Sequence, residues 1–406
     1  MSPRHTHYDM IFLGGGCAAL SLLVRLLQSG KFSKSRFLVV DRDSKKSNDR
    51  TWCFWEKGAG YFESVVHRQW GQLDFFSSDF SSPLRMEDYR YKMIRGIDFY
   101  AYCLEVIERS GQVEWVQASL TDVSNADGHV TLQGFVGSDA LGFSNPSFLW
   151  NLNASLVFNS IYRPATASTR QVDLLQHFKG WVIETPVDTF DPQCATLMDF
   201  RVGQQEGTTF VYVMPFSERR ALVEYTLFTE QLLSPVAYEQ GLRGYIETQL
   251  GVKQYTITEE EFGIIPMTTR SFQFYQDGIF NLGTAGGQTK ASSGYTFQFI
   301  QKQSERILQQ LVEQVVNQSG QQSVMGKALR TLKADASRFH FYDRVLLHVL
   351  AKNYWPGDKV FACLFERNKA SQIFRFLDNE TTLTEELSII GSLPTWPFLK
   401  GAASAI

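Results

Sequence analysis

From Tyr8 to Leu13 a short apolar run leads into Gly14-Gly15-Gly16, and apolar positions then recur at Leu20, Leu23, Val24 and Leu27 before Gly30. The first pattern is that of a buried strand; the second is the three-and-four spacing of one helix face with a glycine stop. A second buried run, Arg36–Val40, closes on Asp41. Strand, turn, helix and strand in that order predict the opening of a doubly wound sheet.

Further along the periodicity is uneven. Asp49–Trp70 is aromatic without a period, so it reads as irregular, and a helix is expected around Phe99–Arg109. Val113–Leu132 predicts a hairpin turning at Asn125-Ala126-Asp127-Gly128, and Trp181–Thr229 a series of strands with polar turns. A helix near Ser234–Leu250, a strand across Thr256–Ile265 and a short strand at Phe280-Asn281-Leu282 follow, the last entering a second glycine-rich turn, Gly283–Gly287. A long helix is expected over Tyr295–Val316 and a mostly helical remainder, in which Thr382 and Glu385 form a capping box.

The first turn changes the picture from fold to chemistry. Gly14-Gly15-Gly16-Cys17-Ala18-Ala19 fits G-x-G-x-x-G/A, with Ala19 as the small third residue and the helix N-terminus facing negative charge. Asp41 ends the next strand, where a carboxylate accepts from ribose hydroxyls. The position at the very N-terminus and the second glycine turn late in the chain favour FAD over NAD, with Gly283, Gly286, Gly287 and Gly294 as further backbone contacts. A plain tight turn is the alternative for the late glycines.

The fold class expected is therefore α/β: an FAD-binding, doubly wound flavoprotein fold with an interleaved antiparallel-sheet substrate domain and a helical C-terminal part. Its divisions fall at 1–75 (first FAD-binding part), 76–175 (sheet continuation), 176–275 (substrate-binding sheet), 276–320 (second FAD-binding part) and 321–406 (helical region).

Composition adds exclusions. A formal charge of −3 argues against a sequence-independent nucleic-acid binder. Five scattered cysteines without a C-x-x-C pair, and seven histidines without H-E-x-x-H, argue against a metal site or a disulfide framework. No apolar stretch is long enough to cross a bilayer and no basic region leads into a signal-type segment, so the expectation is the cytosol or a cytoplasmic membrane face. The 32 Phe require a large core or a long apolar cavity.

Several blocks then resemble one family, the flavin-dependent lycopene cyclases of carotenoid biosynthesis. They are Tyr8–Gly16, Asn48-Asp49-Arg50-Thr51-Trp52-Cys53-Phe54-Trp55, Gln176–Trp181 with Ala195–Phe200, Phe210–Ser217 leading to Leu222-Val223-Glu224-Tyr225-Thr226, Gly263–Met267, Gly283–Gly287 with Ser293-Gly294-Tyr295, and Leu393–Phe398. Their order spans nearly the whole chain. The resemblance implies cyclisation of lycopene or a related linear carotenoid to β-ionone ends, an isomerisation that uses reduced FAD with NAD(P)H as electron source. It implies Glu224 as the essential acid. Without the resemblance, Glu224 beside Arg219 and Arg220 reads as a solvated strand residue.

Two positions depart from the family pattern. Tyr225 stands where many members carry a second acid, which puts paired carboxylates at that spot in doubt, and Asn159 stands where relatives show Asp. Glu259-Glu260-Glu261 reads as a solvated edge. Trp52, Phe54, Trp55, Phe210, Tyr212 and Phe216 are expected to be mainly core, a minority facing a carbocation. A water-insoluble substrate implies peripheral membrane attachment, with Leu393–Lys400 as an interfacial foot or as a tail packed on the body. The competing readings are an FAD-dependent monooxygenase or prenyl reductase, against which Gly283-Thr284 lacks the acid of the usual Gly-Asp turn, and a non-catalytic flavin- or carotenoid-binding protein.

Overall fold

The glycine turn and its flanking strands do open a doubly wound sheet, and the aromatic residues knit that sheet to a second one. The computed structural model describes residues 2–136, 147–164, 171–316, 322–332 and 337–405. In chain order the strands are β1 (His7–Leu13), β2 (Phe37–Asp41), β3 (Thr51–Lys57), β4 (Arg68–Trp70), β5 (Gln72–Phe76), β6 (Ser81–Arg85), β7 (Tyr89–Arg95), β8 (Val113–Ala126), β9 (His129–Val136), β10 (Phe148–Asn159), β11 (Asp173–Glu184), β12 (Cys194–Asp199), β13 (Thr208–Ser217), β14 (Arg220–Thr229), β15 (Thr256–Thr268), β16 (Tyr275–Gln276) and β17 (Ile279–Asn281). The helices are α1 (Cys17–Gln28), α2 (Gly96–Ser110), α3 (Pro235–Thr248), α4 (Phe297–Val316), α5 (Gln322–Arg330), α6 (Ser337–Ala351), α7 (Gly357–Arg367), α8 (Ala370–Leu377), α9 (Leu383–Gly391) and α10 (Thr395–Ala405).

The first sheet has a parallel core, β8-β2-β1-β10-β17. Strand β9 pairs antiparallel with both β8 and β10. β1 and β2 are buried on both faces, which is why they read as continuous apolar runs. The hairpin between β8 and β9 turns where expected, with Asp127 at φ 50° and Gly128 at φ 91°.

The second sheet runs β15-β11-β14-β13-β12-β5-β6. One face carries Trp181, Val211, Val213, Val223, Tyr225 and Leu227 and is covered by α3 through Tyr238, Leu242 and Tyr245. The opposite face carries Phe210, Tyr212, Leu222 and Phe228 and meets α7 and α8 through Phe361, Phe365 and Phe374. A third small sheet, β3-β7-β4, lies between the two halves. It occupies much of the stretch expected to be irregular. In β3, Phe54 stacks on Phe297 of α4 at 4.4 Å, while its neighbour Trp55 stacks on Phe374 of α8 at 4.8 Å. A strand buried on both faces shows no alternation, so its sequence gave no period to read.

Trp55 also donates its indole N–H to Asp378 Oδ2 at 2.8 Å, just beyond α8. Burial pushes that carboxyl up to about 7, with Lys302 pulling the other way. An acid whose folded value lies above its unfolded one binds protons more readily when folded, so its contribution is lost as pH rises from about 4 to about 7. Asp378→Asn keeps an acceptor for Trp55 and removes the charge. It is expected to flatten the pH dependence of Tm across that window and to raise Tm at pH 8, as read by thermal melts at several pH values.

Candidate active site

The two glycine turns come together at one helix end. Gly14 holds φ 89°, which only glycine adopts without strain, and a Cβ there would meet Ser160 Oγ at 2.5 Å. A Cβ on Gly15 would strike the Trp115 ring at 2.3 Å, whereas Gly16 has no protein atom within 4 Å of that position. Gly16 is the N-cap of α1, and no side chain caps that end. Its free N–H groups therefore face open space bordered by glycine, a cradle suited to a pyrophosphate. Ala19 is buried in the first turn of α1.

Asp41 accepts from the Gly15 N–H and, at 2.7 Å, from the Asp43 N–H, with Lys45 Nζ 3.4 Å away. Its carboxylate thus fixes the glycine turn itself; two oxygens offer lone pairs enough to accept from a ribose as well. The late turn, Gly283–Gly286, reaches the same helix end: a Cβ on Gly283 would lie 2.7 Å from Ala18 Cβ. Gly283 and Gly287 have φ 58° and 77°, and a Cβ on Gly286 would overlap Asn281 O at 2.2 Å. Close approach, beyond mere turning, explains these glycines. Asn159 donates to Asn281 Oδ1 at 2.9 Å and so ties β10 to β17 beneath this turn.

Gly294 links this region to the second sheet. With φ 72°, it sits against β11, where a Cβ would be 2.0 Å from Gln176 Oε1, and against Ile265 of β15. The next residue, Tyr295, enters an aromatic cluster with Trp55 (4.4 Å between centroids) and Tyr91 (3.5 Å between hydroxyls). The Tyr212 hydroxyl interacts with that of Tyr295.

Glu224 lies beside this cluster. Directly paired residues of an antiparallel sheet project to the same face. The pairs Glu261–Gly180, Gly180–Glu224 and Glu224–Tyr212 therefore form one row across β15, β11, β14 and β13. Gly180 is the gap in that row: a Cβ there would stand 2.9 Å from Glu261 Cγ and 3.1 Å from Glu261 Oε1. Glu261 thus lies in the space a side chain on β11 would fill, and the two carboxyls interact over it.

Thr226 Oγ1 donates to Glu224 Oε1 at 3.0 Å and Thr51 Oγ1, from β3, to Glu261 Oε2 at 2.7 Å. Burial holds Glu224 well above the ordinary carboxyl range, and the Glu261 charge pushes the same way. Glu261 is raised by burial too, opposed by its hydrogen bonds to Thr51 and Glu224. Both residues keep some accessible surface, although their carboxyls are enclosed by protein. For Glu261 that access faces a cleft of about 30 Å³ bordered by Thr51, Arg95, Phe216, Leu222 and Glu259. A wider hollow of about 390 Å³ lies by Arg4, Lys34 and Gln112 and includes none of the acid cluster.

Two expectations are corrected here. Glu261 is not part of a solvated edge; of the three glutamates only Glu260 points outward as an exposed residue. The pairing of carboxylates does not depend on position 225 either. Tyr225 is on the opposite face, under α3, so no side chain at 225 reaches Glu224. The missed partner left a faint signal: Glu259, Glu261, Gly263 and Ile265 share one phase of β15, but a register shift before Glu259 puts Ile257 on the α3 side, and Phe262 and Ile264 in the other phase masked it. Among the aromatic residues weighed from sequence, Phe54, Trp55, Phe210 and Tyr212 are buried, and Trp52 and Phe216 are partly so.

The family model described as lycopene cyclase protein matches residues 9–403. The chain is similar to a lycopene beta-cyclase from Pantoea ananas, 24% identical over 410 residues covering 97% of this chain and 96% of that one. It is also similar to a lycopene beta-cyclase from Pseudescherichia vulneris, 23% identical over 312 residues, with 71% and 70% covered. Among solved structures it shares its fold with a geranylgeranyl bacteriochlorophyll reductase-like protein from Thermoplasma acidophilum, with TM-score 0.66, 12% identity, and 98% and 99% covered. A flavin-dependent brominase also shares it, with TM-score 0.59, 12% identity, and 92% and 94% covered. The fold is that of FAD-dependent flavoproteins, and with a family match running from end to end the chain belongs to the lycopene cyclase family.

Proposed function

We propose that this protein is a lycopene β-cyclase that closes the end groups of lycopene to β-ionone rings, by way of γ-carotene to β-carotene, in an FAD-dependent isomerisation without net oxidation. The observation that carries the reading is Glu224: enclosed by protein beside Tyr212 and Tyr295, with its carboxyl pushed well above the ordinary range by burial. Alkene protonation needs a neutral carboxylic acid in a dry, electron-rich pocket, and this is one.

The residues divide the work. Gly14, Gly15, Gly16 and the α1 N-terminus receive the pyrophosphate, Ala19 lets the helix lie close to the strand, and Asp41 sets the turn and accepts from the ribose. Gly283, Gly286, Gly287 and Gly294 bring the late segment against the cofactor and place Tyr295 beside the acid. When bound, reduced FAD, with NAD(P)H as its electron source, would supply negative charge that favours a cationic intermediate. Glu224 gives its proton to the terminal double bond, the internal double bond closes the ring, and a proton leaves the neighbouring ring carbon. The tyrosine rings offer π-density to the cation and exclude water.

Expression in cells that accumulate lycopene tests the reading: a red-to-orange change with a cyclic product isomeric with lycopene is expected. A product that has gained hydrogen or oxygen, with NAD(P)H consumed once per turnover, would instead place the protein among reductases or monooxygenases.

The substrate reaches such a site from a bilayer, and among the described residues no helix is long and apolar enough to cross one. Peripheral attachment through the last two helices fits their surface. Leu387 of α9 is 69% exposed and Trp396 of α10 is 67% exposed, with Leu383 and Leu399 also outward and Lys400 Nζ 5.5 Å from the Trp396 ring. The double variant Leu387→Ser, Trp396→Ser is expected to weaken co-sedimentation with liposomes about tenfold or more, since each side chain contributes on the order of 1 kcal/mol or more when buried in lipid. Unchanged sedimentation would move the attachment site elsewhere.

A further inference from the structure

The acid of this site has a partner whose placement is explained by nothing else in the fold. Glu261 Oε1 is buried and, among the described residues, receives no hydrogen bond from an N–H or hydroxyl group, while its carboxyl meets that of Glu224. Its other oxygen is satisfied by Thr51, and Glu224 Oε1 by Thr226. The two carboxyls interact, and the missing side chain of Gly180 leaves the room in which Glu261 reaches toward Glu224. Two neighbouring carboxylates repel each other unless a proton lies between them, and a buried oxygen left unsatisfied is destabilising.

The groups acting on the pair offer no cation in compensation. From β3 come Thr51 and Cys53, from β13 Tyr212, from the segment before α4 Tyr295, from β14 Thr226, and from β15 itself Glu259. The nearby guanidinium of Arg220 is bound to Glu259 at 2.5 Å and that of Arg95 to Asp98 at 2.7 Å.

We propose that Glu261 is the positioning residue of the acid: the two carboxyls hold a single proton between them over Gly180, and Glu261 keeps it on Glu224 until an alkene is presented. The inference rests on Glu224 being the acid. In the reaction the Glu224 O–H bond breaks as a C–H bond forms at the terminal alkene carbon, which leaves both carboxylates charged beside the cation. After ring closure a C–H bond at the neighbouring ring carbon breaks, its electron pair becomes the new double bond, and the proton returns to the pair. The dyad ends as it began, with one proton and one negative charge.

The test compares the flavin-loaded full-length enzyme with Glu261→Gln and Glu261→Asp, assayed on lycopene in liposomes across pH. The glutamine removes the neighbouring charge and donates an amide N–H to ionised Glu224. The alkaline limb of kcat is therefore expected to move down by about 1–3 pH units, with KM, bound flavin and Tm little changed. Aspartate keeps the charge and is expected to keep the limb. A kcat that falls in Glu261→Gln with the limb unmoved would assign Glu261 a purely structural role and overturn the proposal.

Infrared titration of the neutral-carboxyl C=O stretch, without substrate, is a second readout. The band is expected to vanish at lower pH in Glu261→Gln than in the wild type, and an unshifted titration overturns the pairing. Should the wild type fail to cyclise lycopene, the functional reading falls while this titration still decides the dyad.

Discussion

Glu224→Gln is expected to abolish ring closure while leaving the protein folded and yellow. The amide has the shape of the neutral acid, can still accept from Thr226 through its oxygen, and removes one of two carboxyls that burial already disfavours as anions. Folding therefore loses nothing, and Tm at neutral pH is expected to stay or rise slightly, because a group that must be held protonated costs stability as pH climbs. The rate has no such reserve. General acid catalysis contributes about 10²–10⁴-fold, and an amide cannot protonate an alkene. Chromatography of pigments from lycopene-accumulating cells is expected to show lycopene alone, with wild-type flavin content in the purified variant. Cyclic product at the wild-type rate would remove Glu224 from the chemistry and the dyad with it.

What could be read from the sequence follows a physical boundary. The βαβ opening was legible because β1, α1 and β2 are local: their periods, the glycines and Asp41 lie within 35 residues, from His7 to Asp41. The hairpin at Asp127-Gly128 and the capping box of Thr382 and Glu385 at the start of α9 are local in the same sense. β3 was not legible, because a strand with Phe54 packed on one side and Trp55 on the other has no alternation. The acid pair was illegible for a different reason. Glu224 and Glu261 are 37 positions apart and meet only because both pair with Gly180 on the strand between them. A glycine in mid-strand signals close approach, but sequence does not say of what. The family resemblance supplied Glu224; only register across three strands supplies its partner.

Strand register also suits a flavoprotein scaffold to the proposed step, which moves no electrons overall. The second sheet presents a row of side chains, Glu261, Glu224 and Tyr212, and Tyr295, which follows Gly294, meets Tyr212 in that row. Gln176, which faces Gly294, lies four residues from Gly180 along β11, about 13 Å at the rise of a strand. One strand thus connects the residue that fixes the cofactor segment to the residue that makes room for the acid pair. In the proposed reaction a cation formed there would meet tyrosine rings and carboxylate, and a bound reduced flavin would supply further negative charge.

The cofactor half of that arrangement predicts a sharp contrast between adjacent glycines. Gly16→Val is expected to leave the flavin-free protein almost as stable as the wild type and yet to lose its flavin. Position 16 has φ −85°, open to any residue, and no protein atom within 4 Å of a new Cβ. The cost to folding is that of a poorer N-cap, about 1 kcal/mol or less. The side chain instead occupies the ground in front of the α1 N-terminus where the pyrophosphate must approach. Overfilling of a fitted site costs roughly 1–3 kcal/mol, or roughly five- to 150-fold in affinity. Gly14→Val is expected to behave in the opposite way. With φ 89° and Ser160 Oγ 2.5 Å from its Cβ, it destabilises the protein whether or not flavin is supplied. Flavin absorbance after purification, paired with melts of flavin-stripped protein, separates the two. Full flavin retention in Gly16→Val would show that the dinucleotide does not lie on this turn, and the electron-rich pocket around Glu224 would then need another source of charge.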